Sequence, residues 1–194
     1  MSQKKIIILT APSGSGKTTL AKYLLSTLPQ LSFSVSATTR APRPGEVHER
    51  DYYFLSSDDF QQKIKRGDFF EHQEVYSNQY YGTLYKELER IWGQNKYPLL
   101  DIDVKGAYFI EREKNQNTLS IFIKTSSIEI LKQRLIARGT ETTESLNKRL
   151  DKAALELEYA RYFDYVISND KLELAQKLLL EIVSDYTSSR QAII

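Results

Sequence analysis

The run APSGSGKTT at residues 11–19 combines small residues with a lysine and two threonines, a pattern suited to binding phosphate groups. Small residues let successive backbone N–H groups converge on an anion, and the start of a following helix adds partial positive charge. Lys17 can then reach the outer phosphates of a nucleotide, and the Thr18 hydroxyl can ligate Mg²⁺. We therefore predict a nucleoside triphosphate site with bound Mg²⁺, formed by Ser13, Gly14, Ser15, Gly16, Lys17, Thr18 and Thr19.

The residues on either side of this loop predict the elements that hold it. Residues 6–9 form an apolar, largely β-branched run, which is typical of a strand buried on both faces of a parallel sheet. Residues 20–28 have helical spacing, so the loop joins a strand to a helix that begins near Gly16. Ala11 stands where the pattern usually has glycine, but its methyl group still permits close backbone approach. The alternative is a connector that binds nothing, which would not require Lys-Thr-Thr at a helix start.

Two acidic residues, Asp101 and Asp103, lie near the end of residues 97–104, which we predict to be a second buried strand. In a strand, residues two apart point their side chains to the same face. Ligands of open α/β sheets bind at this edge, where the phosphate loop also lies. One carboxylate could support Mg²⁺ near Thr18, directly or through water, and the other could bind a second substrate. The alternative is that both acids cap a helix or are solvated.

Arg40 and Arg43 lie in a proline-rich loop, ATTRAPRPG, and tyrosines follow at positions 52, 80 and 81. Guanidinium groups match phosphate oxygens in a bidentate manner, and tyrosine hydroxyls add neutral donors. We predict a monophosphate site here. The alternative is a solvated basic loop above an aromatic core.

Arg134, Arg138 and Arg149 flank a polar segment at residues 139–144. Arginines carried by a closing segment can neutralise charge on a phosphoryl group during its transfer. The alternative is surface charge that balances nearby glutamates. On the first interpretation, this segment and the helix that follows it form a helical lid.

The order of apolar runs predicts an α/β fold in which helices flank a parallel sheet. We predict strands over residues 6–9, 31–36, 52–55, 69–76, 79–83, 97–104, 119–124 and 165–168, and helices over 16–28, 57–66, 84–92, 105–114, 127–138, 145–162 and 172–186. Within a single domain of 194 residues, the core comprises 1–36, 84–138 and 163–194, a mainly β insertion spans about 37–83, and the lid spans about 139–162.

The composition narrows the class of protein. A net charge of +2 does not favour a nucleic-acid partner, and no apolar run is long enough to predict a membrane span. With no cysteine, disulfides and cysteine-based metal sites are excluded, and His48 and His72 match no metal-binding spacing. We expect a cytoplasmic location. The oligomeric state stays open, with a homo-oligomer among the alternatives.

The chain resembles the guanylate kinase family over nearly its whole length. The blocks that carry the resemblance are APSGSGKTTL, SVSATTRAPRPGEVHERDYYF, FFEHQEV, YYGT, LLDIDVKGA, RLIARGT, KRL and a final FDY followed by ND. The resemblance implies a nucleoside monophosphate kinase fold and ATP-dependent phosphorylation of GMP and dGMP.

By motif position, the resemblance also implies roles for individual residues. For GMP binding it implies Ser36, Arg40, Arg43, Glu46, Tyr52, Glu71, Tyr81, Thr83, Asp101, Asp103 and Arg149, of which Glu71, Thr83 and Asp103 read the guanine edge. For ATP binding it adds Arg134, Arg138, Asn169 and Asp170 to the phosphate loop. For catalysis it implies Lys17, Arg43, Arg138 and Arg149, and for Mg²⁺ it implies Thr18 and Asp101, partly through water.

Two departures from the family pattern and three rival functions remain at this point. Lys105 stands where the family usually has glutamine, and an extra residue before YYG leaves Tyr80 as an alternative to Tyr81. The rivals are a kinase for another phosphorylated acceptor such as ribose bisphosphate, a phosphopeptide-binding module without catalysis, and a nucleotide-dependent switch. Such binding modules typically lack the lysine and arginines found here at Lys17, Arg138 and Arg149.

Overall fold

The computed structural model describes residues 4–113, 117–137, 139 and 142–188. The strands are β1 (Ile6–Thr10), β2 (Leu31–Phe33), β3 (Ala37–Thr38), β4 (Tyr53–Phe54), β5 (Phe69–Tyr76), β6 (Gln79–Leu84), β7 (Tyr97–Asp101), β8 (Thr118–Lys124) and β9 (Tyr165–Ser168). The helices are α1 (Lys17–Thr27), α2 (Ser57–Arg66), α3 (Tyr85–Gly93), α4 (Val104–Arg112), α5 (Ile128–Ala137), α6 (Thr143–Leu157) and α7 (Leu172–Ser188), and a 3₁₀ helix, Glu158–Tyr162, follows α6.

The main sheet has the strand order β2-β7-β1-β8-β9, and its neighbouring strands run parallel. The central strand β1 is buried on both faces because helices cover each side, as its continuous apolar run predicts. On one face, Leu24 of α1 and Leu179 of α7 pack with Ile7. On the other face, Leu88 of α3 and Val104 of α4 pack with strand residues. The predicted α/β fold class is thereby confirmed.

A second sheet, β4-β3-β6-β5, forms from the residues between β2 and α3. Strands β5 and β6 form an antiparallel hairpin whose turn places Asn78 at a positive φ of 58°. Helix α2 packs Phe60 against Phe69 of β5, with the ring centroids 4.3 Å apart. Three of the predicted GMP-binding residues lie on this sheet, namely Glu71 on β5 and Tyr81 and Thr83 on β6.

Three predicted strands are longer than the observed ones. The strand predicted over 52–55 is reduced to the two residues of β4. The predicted strand at 31–36 ends at Phe33 in the main sheet, because the chain then crosses to the second sheet, where β3 begins at Ala37. The predicted strand at 97–104 ends at Asp101, because the Asp103 side chain caps helix α4. The prediction that Asp101 and Asp103 lie on one strand face is therefore wrong, and helix capping, the alternative, applies to Asp103.

The predicted boundaries of several helices also shift. Helix α6 starts at Thr143 because Thr142 and Ser145 form a reciprocal capping box, and the chain tightens into the 3₁₀ helix at Glu158. Helix α2 is capped by Ser56, whose hydroxyl accepts the Asp59 N–H at 3.0 Å. The predicted ends of two helices, Lys114 and Arg138, lie outside the described residues. Over the ranges that the structure describes, no helix is long and apolar enough to cross a membrane.

Candidate functional site

A cavity of about 450 Å³ lies between the phosphate loop and the second sheet. It brings together predicted residues from distant parts of the chain. Those that line it are Ser13, Gly14, Ser15, Gly16, Lys17, Thr18, Thr19, Ser36, Tyr52, Glu71, Tyr81, Asp101, Asp103 and Arg149. The residues assigned to the nucleoside triphosphate and to the acceptor thus face one space.

The phosphate loop has the backbone that its glycines allow. Gly14 and Gly16 adopt φ values of 93° and 88°, which side chains other than glycine rarely tolerate. Gly16 is the N-cap of α1, so the N-terminus of that helix points its partial positive charge into the cavity. The Asn169 side-chain amide donates to the Ser15 carbonyl at 2.8 Å and occupies the space that a side chain at Gly16 would need. The phosphate loop is therefore held in shape by the residue that follows β9.

Lys17, which follows the phosphate loop at the start of α1, forms an ion pair with Asp101 at the end of β7. The Lys17 ammonium lies 2.7 Å from Asp101 Oδ1 and donates to the Ile102 carbonyl at 2.6 Å. Thr18 and Asp101 both line the cavity, and hydroxyl and carboxylate oxygens are ligands that Mg²⁺ accepts. These two side chains fit a Mg²⁺ ion, whose remaining ligands would be phosphate and water oxygens. Asp103, by contrast, uses Oδ1 to accept the Lys105 and Gly106 N–H groups.

Glu71 is a buried carboxylate on the acceptor side of the cavity. It is 3% exposed, and its Oε1 accepts a hydrogen bond of 2.8 Å from the hydroxyl of Thr83 on the neighbouring strand. Gly106 at the start of α4 leaves room for Glu71, since a Cβ there would lie 2.9 Å from Oε2. Burial, together with the nearby Asp103 charge, raises the pKa of Glu71 to about 8. This carboxylate can accept hydrogen bonds from a planar ligand that supplies donors.

The raised pKa of Glu71 predicts a pH-dependent cost in stability. The folded protein binds this proton more tightly than the unfolded chain, in which the pKa lies near 4.5, so stability falls as the pH rises from 4.5 to about 8. Glu71→Gln removes this titration. We therefore expect the melting temperature of the variant, relative to the wild type, to rise between about pH 5 and about pH 9. A difference in melting temperature that stays constant across this range would contradict the assignment. Glu89→Gln, at an exposed helical position, is the control.

The Arg40 guanidinium is held in place by the Glu46 carboxylate. Its two terminal nitrogens donate to the two Glu46 oxygens at 2.9 Å each, and the guanidinium carbon lies 5.3 Å from the Tyr52 ring centroid. The Glu46 carboxylate, followed by the Tyr81 hydroxyl, raises the pKa of Arg40. Glu46 also accepts the Arg43 backbone N–H at 2.7 Å. Glu46 is thus placed to orient Arg40, while the Arg43 side chain is exposed on the loop.

Neutralising Glu46 should weaken acceptor binding. In Glu46→Gln, the bidentate ion pair to Arg40 is lost, so the guanidinium is no longer fixed beside Tyr52 and Tyr81. We expect about a tenfold increase in KM for the phosphorylated acceptor, with KM for the triphosphate unchanged. Steady-state kinetics with each substrate varied in turn measure this. An unchanged KM for the acceptor would show that Glu46 does not orient Arg40 for binding.

The structure distinguishes between Tyr80 and Tyr81. Tyr81 lines the cavity, and its ring centroid lies 6.1 Å from that of Tyr52. Tyr80 instead packs against Phe60 in the core of the second sheet, at a centroid distance of 5.6 Å. The geometry thus favours Tyr81 as the tyrosine that reaches an acceptor. The alternating sides of β6 account for the difference, since adjacent residues of a strand face opposite ways.

The predicted lid residues reach the phosphate loop from two helices. Arg149 of α6 donates to the Ser13 hydroxyl at 3.0 Å. Arg134 of α5 donates to the Asn169 carbonyl at 2.6 Å, and both residues line a smaller cavity of about 350 Å³ beside Gly16. The Asp170 carboxylate accepts the Ser126 N–H and thereby anchors the loop that carries Asn169. Arg138 lies outside the described residues, so its predicted role stays a prediction.

Sequence reasoning missed three charged residues that line the main cavity, namely Asp51, Lys152 and Glu156. Lys152 and Glu156 follow Arg149 at helical spacing on α6, with Lys152 Nζ 3.6 Å from Glu156 Oε1. Burial, with the Asp103 charge, raises the pKa of Glu156, and Lys152 opposes this shift. The common helical face shared with Arg149 was the signal that could have identified both.

The parallel sheet, the phosphate loop and the second sheet with its buried carboxylate together define a phosphate-loop nucleoside monophosphate kinase fold. The family model described as guanylate kinase matches residues 3–186. The chain belongs to the guanylate kinase family.

Individual relatives agree with this assignment. The chain is 42% identical to the guanylate kinase of Bacteroides fragilis, covering 95% of this chain and 90% of the relative. It is 44% identical to the guanylate kinase of Salinibacter ruber, and the match covers 97% of this chain and 100% of the relative. Its fold is similar to the crystal structure of guanylate kinase from Anaplasma phagocytophilum, with a TM-score of 0.76, 31% identity, and coverage of 97% of this chain and 89% of that one. The predicted family is thereby confirmed.

Proposed function

We propose that this chain transfers the γ-phosphoryl group of ATP to GMP and dGMP, giving ADP and GDP or dGDP. The observation that carries the proposal is the buried pair of Glu71 and Thr83 beside the cavity that the phosphate loop also lines. One side of the cavity is suited to a triphosphate and the other to a purine with hydrogen-bond donors.

The chemistry of Glu71 selects guanine over adenine. The N1–H and 2-amino groups of guanine form a donor pair that a carboxylate accepts with both oxygens, whereas adenine presents no such pair. Bound AMP would leave the buried Glu71 without partners, and a site built this way discriminates strongly. Asp103 stands close enough to raise the pKa of Glu71 and can take part in reading the same edge. Because guanine needs the ionised form, GMP binding should release the Glu71 proton at neutral pH.

The acceptor phosphate would bind at the second sheet. Ser36, Tyr52 and Tyr81 line this part of the cavity, and Arg40 adjoins both tyrosines. Guanidinium and hydroxyl groups together match phosphate oxygens. Arg43 would join them from its exposed loop. In this proposal the insertion at about 37–83 is the GMP-binding part of the domain.

Transfer would proceed in line, without a covalent enzyme intermediate. The acceptor oxygen is already anionic at neutral pH, so catalysis consists of positioning the substrates and neutralising charge. Lys17, Arg43, Arg138 and Arg149 supply that positive charge. The lid at about 139–162 would close over both nucleotides and exclude water, with Asn169, Asp170 and Arg134 next to the adenine of ATP.

Mg²⁺ bound to ATP would offset negative charge on the phosphates. Thr18 and Asp101 are the residues that would hold it, Asp101 partly through water. Asp101 also holds the Lys17 ammonium beside the same phosphates. We further propose a cytoplasmic location, because ATP and GMP are nucleotides of the cytoplasm.

Release of ADP from ATP and Mg²⁺ in the presence of different acceptors tests the proposal. We expect turnover with GMP and dGMP, and little with AMP, CMP, UMP or ribose 1,5-bisphosphate. Turnover confined to a ribose bisphosphate would replace the proposal with a kinase for that acceptor. Binding of GMP without any turnover would overturn catalysis and favour a binding module.

A further inference from the structure

Glu87 of α3 is a fully buried carboxylate that does not line the cavity. It lies on the buried stripe of its helix, beside Leu88 and Ile91. A charged group in this position is unfavourable unless hydrogen bonds replace the water that it loses. Its partners therefore indicate why the position carries a carboxylate.

Each carboxylate oxygen of Glu87 accepts two hydrogen bonds. Oε1 accepts the Val35 backbone N–H at 3.0 Å and an Arg90 N–H at 2.7 Å. Oε2 accepts the Tyr53 hydroxyl at 3.0 Å and the Arg90 Nε–H at 2.8 Å. Burial alone would raise the pKa of Glu87, but the hydrogen bonds from Arg90, Val35 and Tyr53 lower it. Burial and the bond to Glu87 raise the pKa of Tyr53 to about 12.

Two of the Glu87 partners, Val35 and Tyr53, are immediate neighbours of residues that line the acceptor side of the cavity. Val35 lies in the connection between the two sheets and precedes Ser36. Tyr53 follows Tyr52, and its N–H donates to the Ser36 carbonyl at 2.9 Å. The buried Glu87 carboxylate therefore fixes both the segment where the chain leaves the main sheet and the start of β4, directly after Tyr52.

We propose that Glu87 is a positioning residue for the acceptor phosphate, acting through Val35 on Ser36 and through Tyr53 on Tyr52. The inference deepens the proposed function and rests on it. Because Ser36 and Tyr52 have no assigned part in ATP binding, loss of Glu87 should affect the acceptor and spare the triphosphate.

Two variants separate this role from general stability. Glu87→Gln keeps the shape, but its single carbonyl oxygen cannot accept from Val35, Tyr53 and Arg90 together. Tyr53→Phe keeps the buried ring, which Lys86 Nζ approaches to 4.3 Å, and removes only the hydroxyl. Glu89→Gln, on the exposed side of the same helix, is the matched control.

Steady-state kinetics with GMP and ATP varied separately, together with melting temperatures, form the test. We expect KM for GMP to rise about fivefold in Tyr53→Phe and about twentyfold in Glu87→Gln. KM for ATP should stay unchanged, and Glu89→Gln should match the wild type. Both substitutions break the hydrogen bond between Tyr53 and Glu87. The fold increase in KM for GMP in the double variant should therefore be smaller than the product of the fold increases in the two single variants.

Two outcomes would overturn the positioning role. One is an equal rise in KM for both substrates. The other is an unchanged KM for GMP together with a lower melting temperature, the pattern of a purely structural contact. Tyr53→Phe alone decides the matter if Glu87→Gln does not fold. Absence of GMP turnover in the wild type and in Glu89→Gln would instead contradict the proposed function itself.

Discussion

Replacing Lys17 with alanine is expected to lower kcat for phosphoryl transfer by about a thousandfold or more, the largest effect of any single substitution in this site. The lysine ammonium lies 2.7 Å from Asp101 in the cavity lined by the phosphate loop. Charge develops on the transferring phosphoryl group in the transition state, and a fixed ammonium is most effective where water is excluded. Alanine leaves the loop backbone in place but removes that charge.

Single-turnover and steady-state rates with saturating ATP and GMP measure the effect of Lys17→Ala. Lys22→Ala, an exposed lysine on the same helix α1, is the matched control and should retain full activity. The melting temperature of each variant shows that it is folded. If Lys17→Ala kept kcat within about tenfold of the wild type, the loop would not be the site of transfer.

Glu71→Gln is expected to lower kcat/KM for GMP by about a hundredfold or more. In the proposed complex the Glu71 carboxylate would accept from the two donors of guanine, whereas an amide offers one acceptor and would turn its NH₂ group toward a donor of the base. The effect should fall mainly on KM for GMP, because the phosphate loop and Lys17 are unchanged. Discrimination against AMP should shrink accordingly.

Kinetics with GMP and AMP as alternative acceptors test this second prediction. Glu89→Gln provides the same chemical change at an exposed position and should leave both acceptors unaffected. A Glu71→Gln enzyme that still preferred GMP as strongly as the wild type would mean that guanine is read elsewhere in the cavity.

Features fixed by neighbouring residues could be predicted from the sequence. The apolar run of β1, the phosphate loop and the β5–β6 hairpin depend on local patterns, and their predicted bounds agree closely with the structure. The strand predicted through Val104 was too long, because Asp103 forms hydrogen bonds to the N–H groups that follow it. Apolar patterning alone does not reveal that competition between strand and cap.

Features fixed by distant contacts could not be predicted in this way. Glu87 bonds to Val35 and Tyr53, which lie 52 and 34 residues away in the chain. An acid at an apolar position of a helix signals an unusual environment, but the partner is decided by how the two sheets meet. The choice of Tyr81 over Tyr80 likewise depends on which side of β6 faces the cavity.

The central claim, that a buried carboxylate selects guanine as the phosphoryl acceptor, is tested most directly by comparing GMP with IMP. The hypoxanthine base of IMP keeps N1–H but lacks the 2-amino group, so it offers Glu71 one donor instead of two. We predict kcat/KM for IMP at least about a hundredfold below that for GMP, with GDP and ADP formed from GMP in equal amounts. Equal turnover of IMP and GMP would contradict the claim.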